Sequence, residues 1–301
     1  MIKKINNQIK TSCLTLFPYT NTVGFARSIL ALGTLLTLIF NPIGILFHKK
    51  IDGTILNPLL NPVIPINKYN FFTLFGFDNI VYMKGLAILI LIITISGYFI
   101  KITSLLHWWI CISFLYFSSI IDGGDQIASI LSFLLIPFCL TDLRKNHWQY
   151  MQPYDSALNI IGLFSIWIIR IQVAIIYYHA SLGKLSVPEW VNGTAIYYWF
   201  NHSVFGMPTS ISIFMNKLLS NPVIISLLTY SVIVLEILLF LGLLASLKYR
   251  KTILCFGILF HFFIIIYHGI FSFFFSICAA LILFLYPTYQ SINFKLWSLK
   301  K

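Results

Sequence analysis

Two aspartates in Asp122-Gly-Gly-Asp125 and a lysine in His179-Ala-Ser-Leu-Gly-Lys184-Leu-Ser-Val-Pro-Glu-Trp190 are the groups whose types and spacing best suit proton or anion chemistry. At i and i+3 the carboxylates can share one helical face, and the glycines between them permit a tight turn. A lysine with a carboxylate nearby could bind an anion or act as a base. His179 precedes that lysine by five positions, and His268 lies at the end of another apolar run. A set of ordinary charges at a membrane boundary would look the same. Deeper in apolar runs stand Arg170, Glu236 and His261. Arg170 and Glu236 each call for a partner, and a mutual, structural buried pair is one solution. His261 shares a helix stripe with His268, and a lone histidine of this kind is more often a hydrogen-bonded core residue than a ligand. No set of donors has metal-ligand spacing, so no metal site is expected. Arg27 reads most simply as an interface anchor.

The elements that must position these groups follow from composition. Of 301 residues, 59% are apolar, 17% aromatic and 9% charged. A soluble domain needs about 25% charged residues to cover its surface. The fold class is therefore all-α: a polytopic transmembrane bundle of about eight spans, in the plasma membrane. The spans are expected near 25–47, 82–100, 103–121, 126–141, 158–182, 221–246, 252–268 and 270–287. The 43 residues between Lys251 and Lys295 hold no Asp, Glu, Lys or Arg. They need two helices, with His268-Gly269 as the turn; seven and nine spans are the alternative counts. Residues 70–81 could form an interfacial or re-entrant helix. The first apolar run is too long for the core of a signal peptide, about 7–15 residues, and is expected to stay as a span.

Charge bias orients the chain. With the N-terminus inside, the inner side carries Lys3, Lys4, Lys10, Lys101, Arg144, Lys145, Lys248, Arg250, Lys251, Lys295, Lys300 and Lys301, against six lysines outside. Both termini are then cytoplasmic. The formal net charge of +12 sits in short clusters between apolar runs, as loops facing anionic headgroups do, so nucleic acid is not an expected partner. One transmembrane domain, 1–301, is expected, with a cytoplasmic segment at 1–24. An outer aromatic interfacial segment is expected at 183–220, where Trp190, Tyr197, Tyr198 and Trp199 cluster. The cysteines Cys13, Cys111, Cys139, Cys255 and Cys278 include no C-x-x-C and read as small apolar residues of helices.

Three stretches carry a resemblance to a known family: Phe25-Ala-Arg-Ser-Ile-Leu-Ala-Leu-Gly-Thr-Leu-Leu-Thr-Leu38, the Asp122-Gly-Gly-Asp125 turn, and Arg170-Ile-Gln followed by Tyr178-His-Ala-Ser-Leu-Gly-Lys-Leu185. Together they resemble the SdpB (sporulation-delaying protein B) type, over about residues 20–290. That family is grouped with HTTM-domain proteins, relatives of the vitamin K-dependent γ-carboxylases. The resemblance implies a factor for maturation or export of a secreted antimicrobial peptide toxin. Its partners would be the lipid bilayer, the peptide precursor and a small protein encoded in the same operon. In the carboxylase relatives a Lys-Leu followed by a Trp supplies the base that acts on reduced vitamin K; Lys184-Leu185 with Trp190-Val-Asn-Gly193 fits that pattern. Asp125 stands where those relatives have a functional histidine. The chain has no large extramembrane domain of the kind that holds the glutamate substrate, so carboxylation is not the expectation. Two alternatives follow. One is an enzyme that uses a membrane quinol, with Lys184, Asp125 and His179 as its catalytic groups and Asp122, Arg170, Glu236, His261, His268 and Trp190 as a polar network. The other is a transporter, channel or immunity protein whose path Arg170, Glu236 and His261 line; inverted repeats would favour it, and none is evident.

Overall fold

A computed structural model describes residues 15–47, 69–154 and 158–293. Among these the regular structure is helical, with one isolated bridge, Tyr98 to Asn146, as the sole extended pairing. Seven helices are long and apolar enough to cross a membrane, and a shorter apolar helix, Phe271–Leu285, makes an eighth crossing plausible. The segment 1–24 expected to be cytoplasmic lies mostly outside the described residues, as do Cys13 and the lysines at 3, 4, 10, 49, 50, 68, 295, 300 and 301. The chain divides into two compact units, Met1–Ile169 with Pro287–Lys301, and Arg170–Tyr286.

In the first unit, α1 (Asn21–Phe40) stops at Asn41-Pro42. Proline has no N–H and forces the residue before it into an extended conformation; Asn41 has φ −107 and ψ 129. The span expected to reach residue 47 is thus cut at 40, and the rest forms a single turn, α2 (Ile43–Leu46). The expected helix at 70–81 is two 3₁₀ turns instead. Asn70 fixes the first, accepting from Phe72 N and donating to Ser113 O, so Phe71 and Phe72 become wholly buried core residues. They pack with Leu35, Leu38, Phe47 and Phe114. The chain then crosses through α3 (Ile80–Ser96), comes back through α4 (Ile100–Phe117), and crosses again through α5 (Gly123–Leu134) and α6 (Ile136–Thr141). Pro137 breaks that last crossing in two, because it cannot donate to the preceding turn. After α13 of the second unit (below), residues 287–293 return to the start of α1. Thr20 Oγ1 donates to Thr288 O, and Asn21 exchanges two bonds with Ile292. Residues 20–22 and 288–292 therefore meet on one side of this unit.

On that side the loop after α6 is packed into the bundle rather than left in solvent. Arg144 and Asp142 form an ion pair at 2.7 Å with side chains 1% and 0% exposed. Arg27 is equally buried, donating to His147 Nδ1 at 3.2 Å and to Thr103 Oγ1 at 2.6 Å. It is a structural tie, not the surface anchor expected of it. An arginine only donates, so His147 Nδ1 must accept; Nε2 then bears the proton and faces Ser28 Oγ at 3.1 Å. Burial and the two neighbouring guanidiniums push the His147 pKa down from 6.5 to about 2. The folded protein holds this ring neutral, whereas the unfolded chain takes up a proton below its ordinary value of about 6.5. Stability therefore falls as pH drops through that value and is level above it. Thermal unfolding in detergent at pH 5 is expected to occur at a lower temperature than at pH 7.5, and His147→Gln is expected to shrink the difference.

The close fit depends on Gly97, which ends α3 in the left-handed conformation at φ +87. A Cβ there would lie 2.5 Å from Asn146 Oδ1 and 2.7 Å from Trp148 Cδ1. Gly97→Ala is expected to cost about 1–3 kcal/mol, seen as a lower Tm with no change in helix content.

The second unit begins within the long α7 (Leu158–Lys184), followed by two short helices, α8 (Pro188–Val191) and α9 (Ala195–Phe200), then α10 (Thr209–Leu219). The apolar α11 (Pro222–Phe240) continues as a 3₁₀ turn to Leu244, and α12 (Leu247–His268) ends at Gly269, φ +70, where the turn was expected. Last comes α13 (Phe271–Leu285), buried from Ser276 to Leu285. α10 rests on the near ends of α11 and α12 through Met215 and Leu219, packed with Phe200, Ile225 and Tyr267. It therefore lies at the end of this unit where α11 begins and α12 finishes.

Candidate functional site

Lys184 is the last residue of α7, on the same helix stripe as Tyr177 and Ser181. Its ammonium gives one proton to each oxygen of Glu236, both at 2.7 Å, and a third to Ala180 O at 3.2 Å. All three of its N–H bonds are thereby engaged. The side chains are 21% and 8% exposed. Trp190 on α8 completes the arrangement, its ring centroid 5.1 Å from Nζ, a cation–π distance. Glu236 follows Pro222 by 14 positions along α11, about 21 Å at 1.5 Å per residue. The lysine expected at the outer boundary thus meets its partner well down the bundle.

The contacts between the residues that follow α7 and α11 form a ladder. Trp190 and Ala195 pack on Ile233. Tyr230 Oη donates to Val191 O at 2.8 Å, Ile196 N donates to Thr229 Oγ1 at 3.3 Å, and Gly193 approaches Ser226 so closely that a Cβ would sit 2.9 Å from its Oγ. Residues 184–193 therefore climb α11 from Glu236 to Ser226, and Ala195 and Ile196 lie back at the level of Ile233 and Thr229. Of the aromatic residues in the segment expected to be interfacial, Tyr197, Tyr198 and Trp199 are exposed, whereas Trp190 is buried against α11.

Two further polar groups face this interior. Tyr177, 2% exposed, has a hydroxyl with no hydrogen-bond partner among the described residues. Its ring stands edge-on to His261, centroids 6.3 Å apart. His261 Nδ1 lies 2.7 Å from Gly257 O, which can only accept, so in the neutral ring Nε2 is left as an acceptor.

The remaining expected residues have other places. Arg170 does not stand as the partner of Glu236: its Nε and Nη2 donate to Leu283 O and Tyr286 O, the free carbonyls at the end of α13. His268 lies 2.5 Å from Phe205 O through Nδ1 and contacts Trp199 and Phe200. His179 is exposed, its ring against Tyr178. Asp122 and Asp125, in the first unit, form a capping box for α5. Asp122 Oδ1 accepts from Gly124 N at 2.6 Å and Asp125 N at 3.2 Å, while Asp125 Oδ2 accepts from Asp122 N at 2.9 Å. Both carboxylates are therefore used by the helix start. Tyr177, and the pairing of Lys184 with Glu236, went unread in the sequence. A lysine and a glutamate each inside apolar helices, each needing an opposite charge, were the available signal.

A helical membrane protein whose second half buries a lysine–glutamate pair beneath a tryptophan is the class these observations define. The chain belongs to the SdpB family. It is 36% identical over 297 residues to the sporulation-delaying protein SdpB of Bacillus subtilis, covering 96% of this chain and 88% of that one. It is 32% identical over 285 residues to YitO of the same organism, covering 92% and 89%. No family model matches the sequence, and no solved structure matches it.

Proposed function

We propose that the chain is an integral membrane factor for maturation or export of a secreted antimicrobial peptide toxin, working with a small partner protein and acting through the Lys184–Glu236 site from the outer side. The observation that carries this reading is the nearly full-length likeness to a protein named for delaying sporulation. The site gives it chemistry. Passing one Lys184 proton to a Glu236 oxygen at 2.7 Å converts the ion pair into a neutral amine and a neutral acid. The amine lone pair is then a base beside an aromatic wall, in surroundings where a neutral pair is less costly than elsewhere. The test is a strain lacking the protein, carrying it as wild type or as Lys184→Met/Glu236→Leu, with the secreted peptide weighed by mass spectrometry. Loss of the mature peptide at normal membrane levels of the variant supports the proposal; a mature peptide in the full deletion ends it. Asp125→Asn in the same assay separates the first unit's carboxylates from the site.

One observation favours a second reading, an enzyme that uses a membrane quinol. The orphaned Tyr177 hydroxyl and the His261 Nε2 acceptor offer a donor and an acceptor to a ligand hydroxyl, so residues of the site fit such a group. A quinol would supply two-electron reducing chemistry; Tyr177 and His261 would orient it and Lys184 would hold or move a proton. Tyr177→Phe removes a hydroxyl that bonds nothing among the described residues, so stability is expected to be unchanged while oxidation of added reduced menaquinone by dissolved dioxygen falls. No oxidation by the wild type removes this reading. HTTM-type kinship with the carboxylases belongs to the same proposal.

A further inference from the structure

We infer that residues 185–194 line an aqueous vestibule, open toward the outer side, that reaches down to the Lys184–Glu236 pair. The inference concerns the same site, but it stands on the packing of this segment and not on the peptide reading.

The segment's depth comes from its rungs on α11. Val191 bonds Tyr230, Trp190 packs on Ile233 and Lys184 binds Glu236. Those three positions follow Pro222 by 8 to 14 residues, about 12–21 Å along an apolar helix. A hydrocarbon core is about 30 Å thick, so this segment lies well inside it. Yet α7 has ended, α8 is a single turn, and residues 185–187 and 192–194 lie outside regular helix. Backbone of this kind occurs at membrane depth only where protein buries it or water reaches it.

Burial is not the answer for the whole segment. Ser186, Glu189 and Asn192 recur at i, i+3 and i+6 and are all exposed. A carboxylate and an amide turned to hydrocarbon would be costly, and the hydroxyls of Thr229 and Tyr230 on α11 are engaged with the backbone of Ile196 and Val191 rather than with these side chains. Water satisfies both side chains and backbone. The direction is set by the chain itself: residues 184–193 rise from Glu236 to Ser226, and past the start of α9, which lies back at Ile233 and Thr229, Phe200 and α10 rest on the outer ends of α11 and α12. The apolar Leu185, Val187 and Val191, 49%, 39% and 50% exposed, form the remaining flank of the segment. The vestibule admits water and a polar solute from the outer side, and it explains how a lysine so far down α11 can be 21% exposed.

Single cysteines at 186, 189 and 192, in a background with Cys13 and Cys255 replaced by serine, test this in intact cells. The probe is a membrane-impermeant cationic methanethiosulfonate, which needs a hydrated thiolate. Val234→Cys, exposed on α11 at similar depth, is the lipid-facing control. Modification at 189 and 192 is expected to be faster than at 234 on the order of tenfold or more, and blocked when the outer solution holds a quenching thiol. Rates no faster than at 234, or modification only in inverted vesicles, would overturn the inference. If Glu189→Cys does not accumulate, the Ser186→Cys and Asn192→Cys results decide alone. None of these outcomes depends on whether a toxin is processed.

Discussion

Glu236→Gln is expected to lower the stability of the second unit by about 3–5 kcal/mol and to abolish activity. The substitution leaves the Lys184 ammonium in place with two of its three acceptors altered, and removing one member of a buried pair strands the other charge. Lys184→Met strands Glu236 and is expected to cost a similar amount. Replacing both, as Lys184→Met/Glu236→Leu, removes the stranded charge, so its stability is expected to return to within about 1–2 kcal/mol of wild type. A coupling of that size between positions 52 residues apart, read from the Tm of all four proteins in detergent, would establish the pair energetically. If the double variant is stable and inactive, the pair serves function and is not merely a strut between α7 and α11.

The second large effect belongs to the first unit. Arg144 donates three bonds to Asp142 and two more to His147 O and Gln149 O, with 1% of its side chain exposed. Arg144→Leu strands the fully buried Asp142 carboxylate and frees two carbonyls, at an expected cost of about 3–5 kcal/mol. The loop that presses on Gly24 and Gly97 is then expected to loosen. Low membrane abundance and a depressed Tm are expected, with activity per remaining molecule close to normal. That contrast separates a residue holding the fold from residues holding the site.

The membrane class, the approximate spans and the His268-Gly269 turn were legible because they depend on local physics: long apolar runs, and a glycine at a helix end. Local punctuation was legible but underweighted. Pro42 and Pro137 each break a span that hydropathy alone runs through. Long-range partnerships were not legible. Arg170 and Glu236 are the two deepest charges in neighbouring runs, and pairing them is the natural reading; nothing local reveals that Arg170 is taken by the carbonyls ending α13. Lys184 was singled out from its place at the end of an apolar run, but its depth depends on the rung it occupies on α11, and register between helices is a tertiary property. The aspartates of the Gly-Gly turn show the converse. Their spacing suits chemistry and helix capping alike, and the capping geometry uses both carboxylates.

The most direct measurement is the mass of the peptide secreted by cells that carry Lys184→Met/Glu236→Leu as their only copy, at membrane levels matching wild type. The expected spectrum holds precursor or unmodified peptide and no mature species. A mature peptide in normal yield from those cells would show that the buried pair takes no part in the work of this protein.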